Sequence, residues 1–223
     1  MIKSLLVGSA LGLGLITAAP AQAQTPPAPP HPLGFFVTSS TPSQSGDLGG
    51  LPGADKVCQD LAAAVGTAGR TWHAYLSVPA MDGKPAVNAR DRIGSGPWYN
   101  AKNVLIANTV AELHGDATPD RSNIQKQTAI SEKGELNKGV GDTPNQHDIL
   151  TGSDPSGRAL PASADASCMG WTDGTDAHKA MLGHADRQGG ANTSWNSTHM
   201  SRGCSAAALI ATGGAGKIYC FGL

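Results

Sequence analysis

Four side chains between Cys168 and Cys204 have the chemistry of a metal site: His178, His184, Asp186 and His199. Imidazole nitrogens and carboxylate oxygens are suitable donors for zinc and similar ions. Their spacing, with five, one and twelve residues between successive members, matches no HExxH-type signature. The only cofactor these residues suggest is a divalent metal, zinc or calcium. The same stretch offers a second kind of site. Trp171 with Asp173 and Asp176, and Trp195 with Asn196, could form a sugar platform. There the aromatic face would take the apolar side of a pyranose, and amides and carboxylates its hydroxyls. Tryptophan is also a core residue, and this chain has four. The candidates for ligand contact are therefore Asp173, Asp176, Trp195 and Asn196. For nucleophilic catalysis the chain lacks Gly-x-Ser-x-Gly, and Gly94-Ser95-Gly96 reads as a turn. No catalytic residue is assigned.

The elements that must position these residues are short. Gly34-Phe-Phe-Val-Thr-Ser-Ser predicts a first strand, ended by a Ser/Thr/Pro cluster. Val57, Cys58, Leu61, Ala62 and Val65 fall on one helical stripe, and Gly66 stops that helix. Arg70 to Ser77 alternates as a strand, with Trp72, Ala74 and Leu76 on one face and Thr71, His73 and Tyr75 on the other. Asn88 to Gly94 reads as a short polar helix or turn, Val104 to Ala107 as a strand, and Thr109 to His114 as a helical turn. Residues 115–148 are almost entirely polar and read as a long excursion, of a length that tends to be functional. Ala206 to Ile210 and Lys217 to Phe221 read as two apolar strands of a hairpin.

The first 23 residues read as a signal peptide. Lys3 supplies the positive start, Leu5 to Ala18 the apolar run, and Ala21-Gln22-Ala23 the small-x-small cleavage site. That run is short for a membrane span. Residues 24–33 form a proline-rich tether, in which His31 is a linker residue. Residues 34–223 then make one domain. The whole chain carries 16 basic and 17 acidic residues. A balance so near neutral points to neither nucleic acid nor an anionic membrane as partner. Aromatic residues are 4% of the chain, against 29 glycines and 15 prolines, so something besides a large core must hold it. Four cysteines, none in a CxxC pair, fit an exported protein with two disulfides, and three connectivities are open.

The order of these features resembles a family. Gly49-Gly-Leu-Pro-Gly-Ala-Asp-Lys-Val-Cys is similar to a Gly-x-x-Gly-Ala-Asp-x-x-Cys segment of the endostatin domain of multiplexin collagens. The resemblance extends to Thr71-Trp-His-Ala-Tyr-Leu-Ser, to Gly152-Ser-Asp-Pro-Ser-Gly-Arg and to the closing Gly-Cys…Tyr-Cys pair, and so spans about Phe35 to Phe221. It implies an α+β, C-type lectin-like fold: a mixed sheet, few helices and long loops. It also implies nested disulfides, Cys58–Cys220 outside and Cys168–Cys204 inside. The chain departs from the family in having no arginine-rich heparin face and no cluster of N-terminal histidines. It also departs from sugar-binding lectins, having no Glu-Pro-Asn loop and Ser197 where an acidic ligand follows Trp195-Asn196.

The expected function is that of an exported, non-catalytic binding module, periplasmic or extracellular. It would recognise a glycan or a cell-surface or extracellular protein through the 115–148 and 171–202 loops. The competing readings are a metal-dependent hydrolytic enzyme using His178, His184, Asp186 and His199, and a purely structural envelope protein.

Overall fold

The computed structural model describes residue 1 and residues 30–116, 122–189 and 192–223. Apart from residue 1, the expected signal peptide and residues 24–29 of the tether lie outside the described residues. In chain order come strand β1 (Phe35–Val37), helix α1 (Gly50–Ala64) and β2 (Trp72–Ala74), then a small pair, β3 (Trp98–Tyr99) and β4 (Leu105–Ala107). The one-turn helix α2 (Val110–His114) follows, then β5 (Asp148–Leu150), a turn labelled α3 (Cys168–Trp171), β6 (Met181–His184) and β7 (His199–Met200). Helix α4 (Ala206–Ile210) and the long strand β8 (Gly214–Gly222) complete the order. The architecture is α+β, with few helices, a mixed sheet and two disulfides.

All nine residues of β8 are buried. A strand this deep must pair on both edges, because an unpaired buried amide costs about 1–3 kcal/mol. β1 and β2 pair antiparallel with its second half, and β5 lies parallel to its first. The sheet then continues outward through β6 to β7, both antiparallel. Strand alternation sorts the side chains into two cores. Ile218 and Cys220 face one, with Trp72, Ala74, Leu76 and the buried side of α1. Tyr219 and Phe221 face the other, with Phe35, Tyr75 and Trp195.

Helix α1 buries Ala54, Cys58 and Ala62, with Val57 and Leu61 partly covered, as its apolar stripe predicts. It starts earlier than that stripe, at Gly50. From it Cys58 reaches Cys220 in β8, and Cys168 pairs with Cys204. The nested connectivity is the one the resemblance implies.

Residues 206–210 are a helix, not the strand the sequence suggests. Ser205 caps it by accepting a hydrogen bond from the Ala208 amide at 3.1 Å, and three alanines favour helix. β8 already takes its partners from β1, β2 and β5, so it needs none from this segment. The polar excursion also packs more closely than its composition suggests. Ile124, Ala129 and Ile130 are buried, and the buried Glu132 accepts both the Ser39 amide and the Ser39 hydroxyl.

Replacing Cys58 and Cys220 together by serine should lower unfolding free energy by about 3–5 kcal/mol, the range expected for opening so long a loop. Urea denaturation of the two proteins measures the difference. A change below about 1 kcal/mol would mean that the sheet closes without the bridge.

Candidate metal centre

The inner-edge strands end in a cluster of histidines and carboxylates. Antiparallel register sets Asp148 opposite His184, and β7 pairs His199 with Leu182. The sheet face that carries Leu150 and Leu182 into the core therefore carries Asp148, His184 and His199 at its end. His147, the residue before β5, accepts the Ala185 amide at its carbonyl (2.9 Å), which holds its ring beside His184. The two rings stack at 4.1 Å, and the His184 and His199 rings meet edge-on at 5.1 Å.

One oxygen is the centre of this group. Asp148 Oδ1 lies 3.3 Å from His147 Nε2, 3.2 Å from His184 Nε2 and 3.5 Å from His199 Nε2. Two ligands of a tetrahedral zinc ion with bonds of 2.0–2.1 Å stand about 3.3 Å apart, so all three distances are near a tetrahedron's edge. One donor from each of His147, Asp148 and His184 falls within 4.8 Å of the others. His199 approaches from the rim, its side chain 33% exposed while those of the other three are 6% or less.

The outer contacts point the donors inward. His147 Nδ1 shares a 2.9 Å hydrogen bond with Asp186 Oδ1, and His199 Nδ1 one of 3.0 Å with the Met200 carbonyl. Such bonds fix the tautomer and leave Nε2 as a lone-pair donor, the arrangement found around metal-bound histidines. Asp186 is itself held by the Val140 amide on Oδ2 and the Gln188 amide on Oδ1, at 2.8 and 3.0 Å. Gly139 leaves it room, because a Cβ there would strike the Asp186 carboxylate. The inner atoms lack such partners: both oxygens of Asp148 and both ring nitrogens of His184 are buried without a hydrogen bond. Unpaired buried polar atoms are rare and costly. An ion held by Asp148 Oδ1 and His184 Nε2 would satisfy two of the four.

Electrostatics agree. Burial alone would raise the Asp148 pKa, but His184, His199 and Thr212 hold it down to about 2. Burial opposes ionisation of Asp186 as well, and His147 with the Val140 and Gln188 amides outweighs it and lowers that pKa. The His199 pKa is raised, chiefly by Asp148. The carboxylates are thus anionic at neutral pH and ready for a cation.

The sequence-derived set is therefore regrouped. His184 and His199 turn Nε2 toward Asp148 Oδ1 as candidate donors, Asp186 stands behind His147 as its orienting partner, and His178 pairs with Asp165 at 2.8 Å instead. His147 and Asp148 were missed. They lie far along the chain from His184, at the junction of a polar excursion and an apolar strand. The available signal was an acidic residue on the inward face of the 148–150 alternation.

The sugar-platform residues are held by the fold. Trp171 is fully buried and donates Nε1–H to the Ser77 carbonyl at 3.0 Å. Trp195 packs between Tyr75 and Tyr219, with ring centroids 4.8 and 5.3 Å away. Asn196 is buried, its amide donating to Tyr75 Oη, Asp154 O and Pro155 O and its oxygen accepting from Ser194 Oγ. Asp173 accepts the Thr175 amide and closes a turn, and Asp176 accepts the Ser205 amide, which ties its loop to the start of α4. Beside Trp195 an open cleft of about 400 Å³ is lined by residues 192–197 with Leu113, His114 and Pro155.

No protein-family model matches this chain, and no curated protein does.

His114, which lines that cleft, is paired with the buried Tyr75 behind it. Tyr75 Oη donates to His114 Nε2 at 2.7 Å, and His114 Nδ1 donates to the Val110 carbonyl at 2.8 Å. Burial, the largest influence, lowers the His114 pKa below its ordinary 6.5. The unfolded chain therefore binds this proton more tightly than the folded one. The neutral ring's contribution is complete above about pH 6.5 and is lost as pH falls toward the depressed value. His114→Gln should flatten this part of the stability profile between pH 7.5 and 5. Urea midpoints of both proteins across that range measure it, and parallel profiles would show that His114 contributes none of the slope.

Proposed function

We propose that this protein is an exported, non-catalytic binding module that holds one divalent transition-metal ion, zinc in class. The donors are His147 Nε2, Asp148 Oδ1, His184 Nε2 and His199 Nε2. The observation that carries the reading is the meeting of three imidazole nitrogens on one buried carboxylate oxygen at 3.2–3.5 Å. Three imidazoles favour zinc over calcium, which takes oxygen ligands. His147, Asp148 and His184 bring one donor each within 4.8 Å of the others, and His199 reaches the same carboxylate oxygen from the rim. With His199 as fourth donor the ion would have no position for the water that hydrolytic zinc sites keep, which supports a binding role over a hydrolase. Export is supported by the sequence of residues 1–23 and by the two disulfides. None of the described helices is long and apolar enough to cross a membrane.

The finer fold assignment, an endostatin-like domain of the C-type lectin-like kind, is part of the same proposal. The nested disulfides and the mixed sheet support it. Recognition of a glycan or a surface protein is the second reading, favoured by the cleft along residues 192–197.

The test is metal content. Mature protein equilibrated with zinc and then passed through a desalting column should retain one zinc per chain by elemental analysis. His184→Ala should retain less than about a tenth of that, since it removes a buried donor. Asp186→Asn should keep the stoichiometry and weaken zinc affinity about 10–100-fold, the usual effect of losing an orienting carboxylate. A wild-type chain that emerges without zinc would overturn the proposal.

A further inference from the structure

Two of the four donors bracket one segment. His184 ends β6 and His199 begins β7, and residues 192–197 between them form one wall of the open cleft. That wall is bonded to the strand ends that carry the donors. The His184 amide donates to the Ser194 carbonyl at 3.1 Å, and the Thr198 amide donates to the Leu182 carbonyl at 2.6 Å. The Ser194 carbonyl also accepts from Thr198 Oγ1 at 2.7 Å, and Ser194 Oγ accepts the Ser197 amide at 3.0 Å. From the opposite face, Gly183 lets the wall lie against β6, because a Cβ there would run into the Trp195 carbonyl. The metal cluster and the cleft are thus two sides of one short stretch of backbone.

β7 is the weak member of this arrangement. It is two residues long, and β6 is its one strand partner, so it lies at the sheet's edge. The His184 ring is fixed deep in the cluster, while the His199 ring is a third exposed. An ion bound by both would cross-link a buried strand to a frayable one and would close the intervening loop as a disulfide does.

We propose that metal occupancy sets the shape and rigidity of the 192–198 wall, so that the cleft is formed for its ligand when the ion is bound and loosened when it is removed. The inference rests on the metal reading above. The lining indicates what the cleft would take. Among the described residues it presents the amide of Asn192, the hydroxyls of Thr193, Ser194 and Ser197, and the apolar surfaces of Leu113 and Pro155. No carboxylate, ammonium or guanidinium lines it. Such a surface suits an uncharged, hydroxyl-rich small molecule.

The test is amide hydrogen exchange on the whole mature protein with saturating zinc and with a chelator, alongside its zinc content. The expected result is one zinc per chain, with exchange at residues 194–198 slowed about tenfold or more and exchange in β1 and the second half of β8 unchanged. If zinc binds but residues 194–198 exchange at the same rate, or slow only in step with the whole chain, the coupling is overturned and the metal site stands. If zinc does not bind, the metal reading fails and this inference fails with it.

Discussion

Nine consecutive buried residues in β8 impose the constraint from which the rest of this structure follows. Each backbone amide and carbonyl there has to be paired within the protein, so strands must arrive on both edges and layers on both faces. β1 and β2 meet the first demand beside Tyr219 to Phe221, and β5 meets it beside Lys217 and Ile218. The second is met by α1 on one face and by the aromatic group around Tyr75 and Trp195 on the other. Aromatic residues are scarce in the sequence, and the fold concentrates them where β8 needs cover. The Cys58–Cys220 bridge then joins the helix layer to the central strand by a covalent bond.

The site inherits its position from that sheet. Beyond Leu150 and Leu182 the same face leaves the apolar core, and its next inward positions are Asp148 and His184. A carboxylate and imidazoles here are shielded from water but still satisfy strand alternation. Burial works against ionised carboxylates, and the neighbouring histidines reverse the outcome for Asp148 and Asp186. The balance is local: a buried anion persists because hydrogen-bond donors or a cation stand within reach of it.

How much of this was legible in the sequence depended on distance along the chain. The α1 stripe, the Trp72–Leu76 alternation and the helical turn from Thr109 to His114 are local patterns, and they appear as read. The disulfide pairing is non-local, and it was available only through the resemblance, since spacing left three connectivities open. Residues 206–210 were misread because a short apolar run suits either a strand or a helix, and the choice depended on a serine cap and on strands elsewhere. Half of the candidate metal cluster was visible because His184 and His199 flank one loop. His147 and Asp148 join them only through β5–β6 pairing, which a linear reading does not contain. Trp195 and Asn196 were visible as residue types, but not as a buried ring and an amide whose hydrogen bonds are already used.

The position of β8 in the order of the chain has a consequence for how the molecule is made. Its partners β1, β2 and β5 all precede it, and Phe36 finds Cys220 only after more than 180 residues have intervened. A chain emerging from its N-terminus presents Phe35, Phe36 and Trp72 to solvent long before the strand that covers them exists. Contacts of such long sequence separation form slowly, and exposed strands in the interval invite aggregation. Cys58 likewise emerges far ahead of Cys220, with Cys168 and Cys204 appearing between them, so pairing in order of appearance would give the wrong bridges. Any bridges formed in order of appearance would therefore have to be reshuffled by thiol–disulfide exchange once β8 is available.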